Sequence, residues 1–404
     1  MKTLTKIARG LSLILILSQS AAKAQLFSRL KETVKSHVED KTDQKVGDET
    51  DKSMDNTLDT NKKKDATNSK SADKSGESKE AKPTLKVYSN YDFVPGDKIL
   101  FDDNFADDQD GEFPAHWELQ QGQGIVNMIN GTPAFCLTEG NYVRVNPRLK
   151  TTSYLTDPFT IEFDYYLKDG GAYGIIAFLK GSDDKEGHVH FETRGSVSTS
   201  YFSKDFSADY PDKNYANADE FFNKWHHGAL IYKNNQLKCY VDQFRVLVMP
   251  NVDFKPISVE FGGIGSADEP IVFRNVRVAS GGEMNMIGKK FTEAKIVTHG
   301  INFDVDKATI KPESMGTLNM IVQVMKSNPE IKFEVDGHTD NTGTTAHNLK
   351  LSQDRAEAVK TQLISMGVDA SRLSAKGFGD NKPISDNNTL EGKANNRRVE
   401  FVKM

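Results

Sequence analysis

Two side chains near the C-terminus have the types and the spacing to hold a zwitterion: Asp340, just past a strand-like run, and Arg355, inside a helix-like one. A guanidinium forks onto a carboxylate and an aspartate accepts from an ammonium, so the pair suits a ligand that carries both groups. Spacing alone leaves a second reading open, an internal Asp–Arg salt bridge that orders the loop between them. The elements that must position the pair are legible. Ile331, Phe333 and Val335 alternate with Lys332 and Glu334 as a half-buried strand requires, and Asp336 and Gly337 close it. From Thr345 to Met366, Leu351, Ala356, Val359, Leu363 and Met366 recur at helical spacing, and Gly367 follows as a left-handed C-cap. Arg355 lies four residues from both Leu351 and Val359, which puts it in or beside the apolar stripe. The strand end, the loop Thr339 to Thr344 and the helix N-terminus then meet at one edge of a sheet, where open α/β layers bind ligands.

The order Thr339, Asp340, Gly343, Asn348, Leu351, Ser352, Arg355, Ala356 and Val359 resembles the signature of the OmpA C-terminal (OmpA/MotB/Pal) family of peptidoglycan-binding domains. INFDVDKATIKPES (Ile301 to Ser314) is similar to the family's opening strand and helix start, GVDASRLSAKGFGDNKPI to its third strand, and NRRVEF to its closing strand. The resemblance covers residues 284–404 and implies an α/β domain of order βαβαββ. It also implies that Asp340 and Arg355 hold the diaminopimelate of the peptidoglycan stem peptide without chemistry. Thr339, Gly343, Asn348 and Arg398 complete the expected peptidoglycan-binding set: backbone N–H groups of the Gly343 loop as anion donors, Asn348 on the peptide backbone, and Arg397 or Arg398 as a second positive contact. His338, beside Asp340, is a further candidate contact.

The other parts of the 404-residue chain frame this domain. A net charge of −5 gives no footprint for nucleic acid. Residues 1–24 read as a signal peptide, with Lys2, Lys6 and Arg9 before the apolar run Leu11 to Leu17, and Ala22-Lys23-Ala24 as a cleavage site. That run is too short to span a bilayer, and no cysteine stands near the cleavage site to carry a lipid. The expected location is therefore the periplasm or outer-membrane periphery of a Gram-negative bacterium, with outer-membrane association open. Residues 25–59 read as a polar segment, helical or disordered, with Leu26, Leu30, Val34 and Val38 on a period of four. Residues 60–86 read as a charged low-complexity linker.

Residues 87–283 change character, with frequent aromatics, glycine-rich turns and alternating runs, and predict an all-β sandwich. Phe159, Ile161, Phe163, Tyr165 and Leu167 share one strand face, and Thr160, Glu162, Asp164 and Tyr166 the other. Asn234-Asn235 between two apolar runs predicts a hairpin. FDDNFADDQDGEFPAHWEL, FTIEFDYYL and KWHHGALIYKNNQLKCYVDQ resemble the concanavalin A-like, laminin-G-like jelly rolls, which implies a concave face for a glycan or protein ligand. Glucanases on that scaffold carry E-x-D-x-x-E. Here Glu162 and Asp164 are followed by Leu167, so one carboxyl is missing and these two are expected on an ordinary polar face. The competing class is a cell-wall or glycan hydrolase that uses the C-terminal domain only for targeting. No cofactor is expected, apart from a structural calcium at the acidic run Asp107 to Glu112. His188 and His190 are expected on a surface strand, and His226 and His227 as packing and edge residues. Cys136 and Cys239 are either a bridge or two separate small hydrophobes. Tyr165, Tyr166, Tyr173, Tyr201, Phe202, Phe206, Tyr210 and Tyr215 offer stacking surface for a sugar, or else cap the core.

Overall fold

Apolar alternation builds the middle segment as strands. In the computed structural model, which describes residues 91–168, 174–211, 221–282 and 291–404, they are β1 (Lys98–Asp103), β2 (Trp117–Ile129), β3 (Thr132–Pro147), β4 (Phe159–Leu167), β5 (Ile175–Gly181), β6 (Glu186–Phe191) and β7 (Val197–Ser200). There follow β8 (Ser207–Ala208), β9 (Lys224–Lys233), β10 (Gln236–Val241), β11 (Phe244–Met249), β12 (Pro256–Gly265) and β13 (Ile271–Ser280). They pair antiparallel in the order β11-β10-β9-β4-β13-β3-β12-β5-β6-β7-β8, with β1 on β13 and β2 on β3. The hairpin between β9 and β10 turns at Asn234 (φ 49°) and Asn235 (φ 59°), the paired positive φ of a type I′ turn.

The aromatic face of β4 enters a core centred on Trp117. The Trp117 ring lies 5.3 Å from that of Phe101, 5.6 Å from those of Phe135 and Phe273, and 5.9 Å from those of Phe105 and Phe261. Its indole N–H, which burial would otherwise leave unpaired, donates to Asp103 Oδ2 at 2.9 Å. Cys136 and Cys239 are both free and buried in different apolar clusters, Cys136 with Ala134 and Val272 and Cys239 in the Trp117 core. Burial pushes the Cys136 thiol up to about 12 and raises that of Cys239. Both behave as small hydrophobes, and no bridge joins them.

The C-terminal part comprises β14 (Lys295–Thr298), α1 (Met315–Ser327), β15 (Phe333–His338), α2 (Thr345–Ser365), β16 (Leu373–Gly379), α3 (Leu390–Asn396) and β17 (Val399–Lys403). Its sheet runs β14-β17-β15-β16, with β15 parallel to β16 and antiparallel to β17. Two details depart from the expected βαβαββ order. The short helix α3 precedes the last strand, and the opening strand is Lys295–Thr298 rather than part of Ile301 to Ser314. The latter stretch turns back on itself instead: Asp304 N bonds Thr309 O at 3.1 Å, Asp306 has φ 56°, and Phe303 makes an isolated bridge with Ile310.

The expected border at 283/284 is not a gap in packing. Tyr91, Phe93, Ala229, Ile231 and Tyr240 lie in the same buried cluster as Met315, Leu318, Ile321, Phe333 and Phe401, and the described residues belong to one compact unit. The second face of β4 is what this packing covers. Thr160, Glu162 and Asp164 are buried, so the face expected to be solvated lies at an internal boundary. The expected signal peptide, polar segment and linker lie outside the described residues.

Candidate functional site

The site begins with backbones that touch. A Cβ at Gly337 would stand 2.3 Å from Ser352 O, and one at Gly377 2.3 Å from Gln353 N, so α2 lies against β15 and β16 at a distance only glycine permits. Ser352 Oγ accepts from Gly379 N at 2.8 Å and fixes the N-terminal half of α2 to the strand ends. Thr339 N continues the strand pairing onto Gly379 O at 3.0 Å. The loop then turns through Gly343 at φ 90°, and Thr344 caps α2 by accepting from His347 N at 3.3 Å. Gly367, at φ 95°, ends the helix as its sequence requires.

These elements bring Asp340 and Arg355 to one edge without pairing them. Asp340 Oδ1 accepts from Thr342 N at 2.8 Å, and Oδ2 from Arg397 Nη1 at 2.7 Å. Burial pushes the Asp340 carboxyl up, but the Arg397 guanidinium and Thr342 N–H outweigh it and hold it below its ordinary value. Arg355 lies 4.9 Å over the Phe303 ring and donates from Nε to Lys307 O at 2.9 Å and from Nη2 to Asp304 O at 3.5 Å. Its Nη1 has no hydrogen-bond partner among the described residues. Arg355 feels the charges of Asp306, Arg397 and Asp340, while burial lowers its proton affinity. The internal Asp340–Arg355 salt bridge is absent, and the partners of both groups are other residues.

The remaining expected contacts divide. Thr339 is buried beside Asp340 and its hydroxyl has no partner among the described residues. Asn348 is buried and donates to Asp340 O at 3.3 Å, so it serves the loop. Arg398 is placed away from the edge. Its side chain is 2 % exposed, and it donates to Glu400 Oε1 at 2.7 Å, Asn396 O at 3.2 Å and Lys382 O at 3.1 Å. Arg397, 40 % exposed, is the arginine that reaches Asp340. His338 is likewise buried, stacked on Phe378, with burial lowering it to about 4, while burial and the charges of Glu334 and Glu400 raise neighbouring Asp336 to about 7. One residue escaped sequence reasoning altogether. Asp102, at the end of β1, also bonds Arg397 and thereby joins the middle segment to the site.

Candidates in the middle segment are mostly engaged elsewhere. Asp164 takes His227 Nδ1 at 3.0 Å and Asn275 Nδ2 at 2.6 Å, with Arg274 Nε at 3.5 Å; Glu162 lies 3.6 Å from His227 Nε2 and 4.0 Å from Arg277. His226 bonds Asp242 Oδ2 at 2.8 Å and Phe221 O at 2.7 Å. His226 is thus a buried anchor that also packs, its ring stacked 3.6 Å from that of Phe221, and His227 is a half-buried charge partner rather than an edge residue. His188 is buried against Glu186, and His190 bonds Ser200 Oγ at 2.8 Å. Of the acidic run, Asp108 alone lies close to Asp103 and His116 in a group with metal-ligand atoms within 4.8 Å, while Asp107, Asp110 and Glu112 point to solvent. Asp103 Oδ2 and Asp108 Oδ1 are already held, by Trp117 Nε1 and Ala115 N at 2.9 Å each. Tyr165 and Phe202 are buried in the core and Phe206 and Tyr210 pack against it. Tyr201, 69 % exposed, lies with its ring 4.3 Å from that of His188, and Tyr173 and Tyr215 lie outside the described residues.

Comparison with known proteins falls on this same part of the chain. The model of the OmpA family matches residues 302–397. The probable lipoprotein YiaD of Escherichia coli is 46 % identical over 104 residues, 26 % of this chain and 48 % of that protein. The peptidoglycan-binding protein ArfA of Mycobacterium bovis is 39 % identical over 107 residues, 26 % of this chain and 33 % of that protein. The chain thus spans less than half of these relatives. The structure of the peptidoglycan-associated lipoprotein from Burkholderia pseudomallei is 30 % identical, with 28 % of this chain and 91 % of that one covered, at a TM-score of 0.25. With the strand-end aspartate, the glycine-packed helix and its arginine in place, residues 302–397 are an OmpA-like domain.

Proposed function

We propose that this chain is a non-catalytic protein of the Gram-negative cell envelope that grips the diaminopimelate-bearing peptide stem of peptidoglycan at Asp340 and Arg355. One observation carries the reading: two ionised groups of opposite sign stand at one sheet edge, unpaired with each other, each with bonding capacity to spare. Asp340 has one bond at each carboxylate oxygen and keeps a lone pair on both, ready for an ammonium. Arg355 has Nη1 open for a carboxylate, and backbone carbonyls hold its other end so that little side-chain freedom is lost on binding. Diaminopimelate carries an ammonium and a carboxylate on one carbon, the geometry such a pair selects. The printed name of the peptidoglycan-binding ArfA supports the ligand class, and a peptidoglycan ligand in turn supports the periplasm or outer-membrane periphery as location.

Sedimentation with purified sacculi tests it. Arg355→Glu should abolish co-sedimentation of the full chain while a cooperative unfolding transition shows that it is still folded, because a partly buried charge contact of this kind contributes about 2–5 kcal/mol, more than tenfold in affinity. A charge-reversed protein that sediments like the wild type would place the site elsewhere.

A further inference from the structure

We propose that the wall-binding site is composite, and that Asp102 of the middle segment is one of its positioning residues, holding Arg397 so that Asp340 remains free to attract the ligand's ammonium. This rests on the reading of Asp340 and Arg355 given above. The contact is built into the fold. Asn395 clamps β1 from both sides, its Oδ1 accepting from Ile99 N and its Nδ2 donating to Ile99 O, each at 3.0 Å. Ile99, Ala279 and Ala394 close over the clamp as a small buried cluster. Asn395 stands just before Arg397 in sequence and Ile99 just before Asp102, so the clamp sets the register in which the two charges meet. Arg277 secures the far side: its Nε donates to Asp102 Oδ1 at 3.0 Å, and its Nη1 to His299 O at 3.2 Å and Asn302 Oδ1 at 3.1 Å.

Charge bookkeeping shows what Asp102 does. Arg397 alone beside Asp340 would cancel it, and a cancelled carboxylate attracts an ammonium weakly. Arg397 instead divides its two terminal nitrogens between Asp340 and Asp102. Arg277, also on Asp102, has Glu162 as a second acid at 4.0 Å. Because Arg277 is shared between Asp102 at 3.0 Å and Glu162 at 4.0 Å, it offsets Asp102 only in part, and Asp102, Arg397 and Asp340 together keep negative charge at the edge. Arg355 supplies one positive charge, and the edge becomes the complement of a zwitterion. Burial pushes the Asp102 carboxyl up, yet Arg277 and Arg397 outweigh it and keep it below its ordinary value, so the charge is present at neutral pH. The middle segment is then neither a spacer nor a separate binder alone, but one wall of the site.

Isothermal titration of the full chain separates this from a merely structural contact. The probes are a diaminopimelate-containing muropeptide and the same muropeptide with its free amine acetylated. Asp102→Asn should weaken the first by roughly tenfold and leave the second at wild-type affinity, because only the first presents an ammonium to the altered field. Equal affinity for both probes, or an equal loss for both, would overturn the proposal and reduce Asp102 to a clamp between segments. Should Asp102→Asn not fold, Asn395→Ser, which removes no charge but loosens β1, should show the same selective loss, and wild-type behaviour there overturns it equally. Arg355→Glu run beside them keeps the two readings apart. If it too binds normally, the site assignment fails; if it alone loses binding, only the role of Asp102 does.

Discussion

Among the described residues, two clusters of acids and arginines border the C-terminal domain, and they differ in where their unused capacity lies. In the first, Glu162, Asp164, His227, Arg274 and Arg277 are shut between β4, β9, β13 and the stretch that carries Lys311 and Glu313. Asp164 there spends both oxygens on His227, Asn275 and Arg274. In the second, Asp340, Arg397, Asp102 and Arg355 stand at the sheet edge, and Arg355 and Asp340 retain capacity after every internal bond is counted. Residue types are alike in both. Unspent hydrogen-bonding capacity beside solvent is what the proposed binding uses, whereas in the inner cluster Glu162 Oε2, His227 Nε2 and Arg274 Nε lack a hydrogen-bond partner among the described residues but are buried away from solvent, so that cluster acts as structure.

The largest expected effect lies in the sealed cluster. Asp164→Ala leaves Arg274 without its acid and His227 with only the more distant Glu162, and breaking a buried pair in this way costs about 3–5 kcal/mol. Urea unfolding should show that loss while sacculus binding by the folded fraction stays unchanged. A variant as stable as the wild type would mean that water reaches the cluster, and the contrast between the regions would collapse.

A smaller effect separates the clusters by pH. Burial lowers the proton affinity of His227, but its hydrogen bond to Asp164 and the nearby Glu162 carboxylate outweigh this and raise it from 6.5 to about 10, while burial's upward push on Asp164 is outweighed by His227, Lys311 and Arg274, which hold it below its ordinary value. A group raised on folding contributes stability fully below its unfolded value and loses it as the pH climbs through the folded one. The unit should therefore lose stability between about pH 6.5 and about pH 10, and His227→Gln should flatten that slope. Denaturant midpoints across the range decide it, and an unchanged slope in His227→Gln contradicts the assignment.

Much of this was legible in the chain because it depended on local period. The alternation of Ile331, Phe333 and Val335 announced β15, although the strand runs Phe333–His338 and passes through the Asp336 and Gly337 expected to close it; Leu351 to Leu363 announced α2 with Gly367 as its stop, and Asn234-Asn235 announced the β9–β10 turn. Arg355 sits half-buried beside the apolar stripe because four-residue spacing puts it there. What depended on distant contacts was not legible. Arg397 and Arg398 are neighbours, and only the docking of β17, with Val399 opposite Gly337, turns one to Asp340 and buries the other on Glu400. The alternation of β4 placed Thr160, Glu162 and Asp164 together correctly, yet a period of two cannot distinguish solvent from a second polar surface. Asp102 lies 295 residues from Arg397, beyond any spacing rule.

The central claim is that the edge reads an ammonium and a carboxylate together. Calorimetric titration of the full chain with a diaminopimelate muropeptide, and with its counterpart in which lysine replaces diaminopimelate, tests it most directly, since lysine keeps the side-chain ammonium but lacks the carboxylate that Arg355 would take. The account predicts saturable binding of the diaminopimelate form and at least roughly tenfold weaker binding of the lysine form, the loss expected for one missing charge-assisted contact. Equal affinity for the two, or no binding of either, would contradict it.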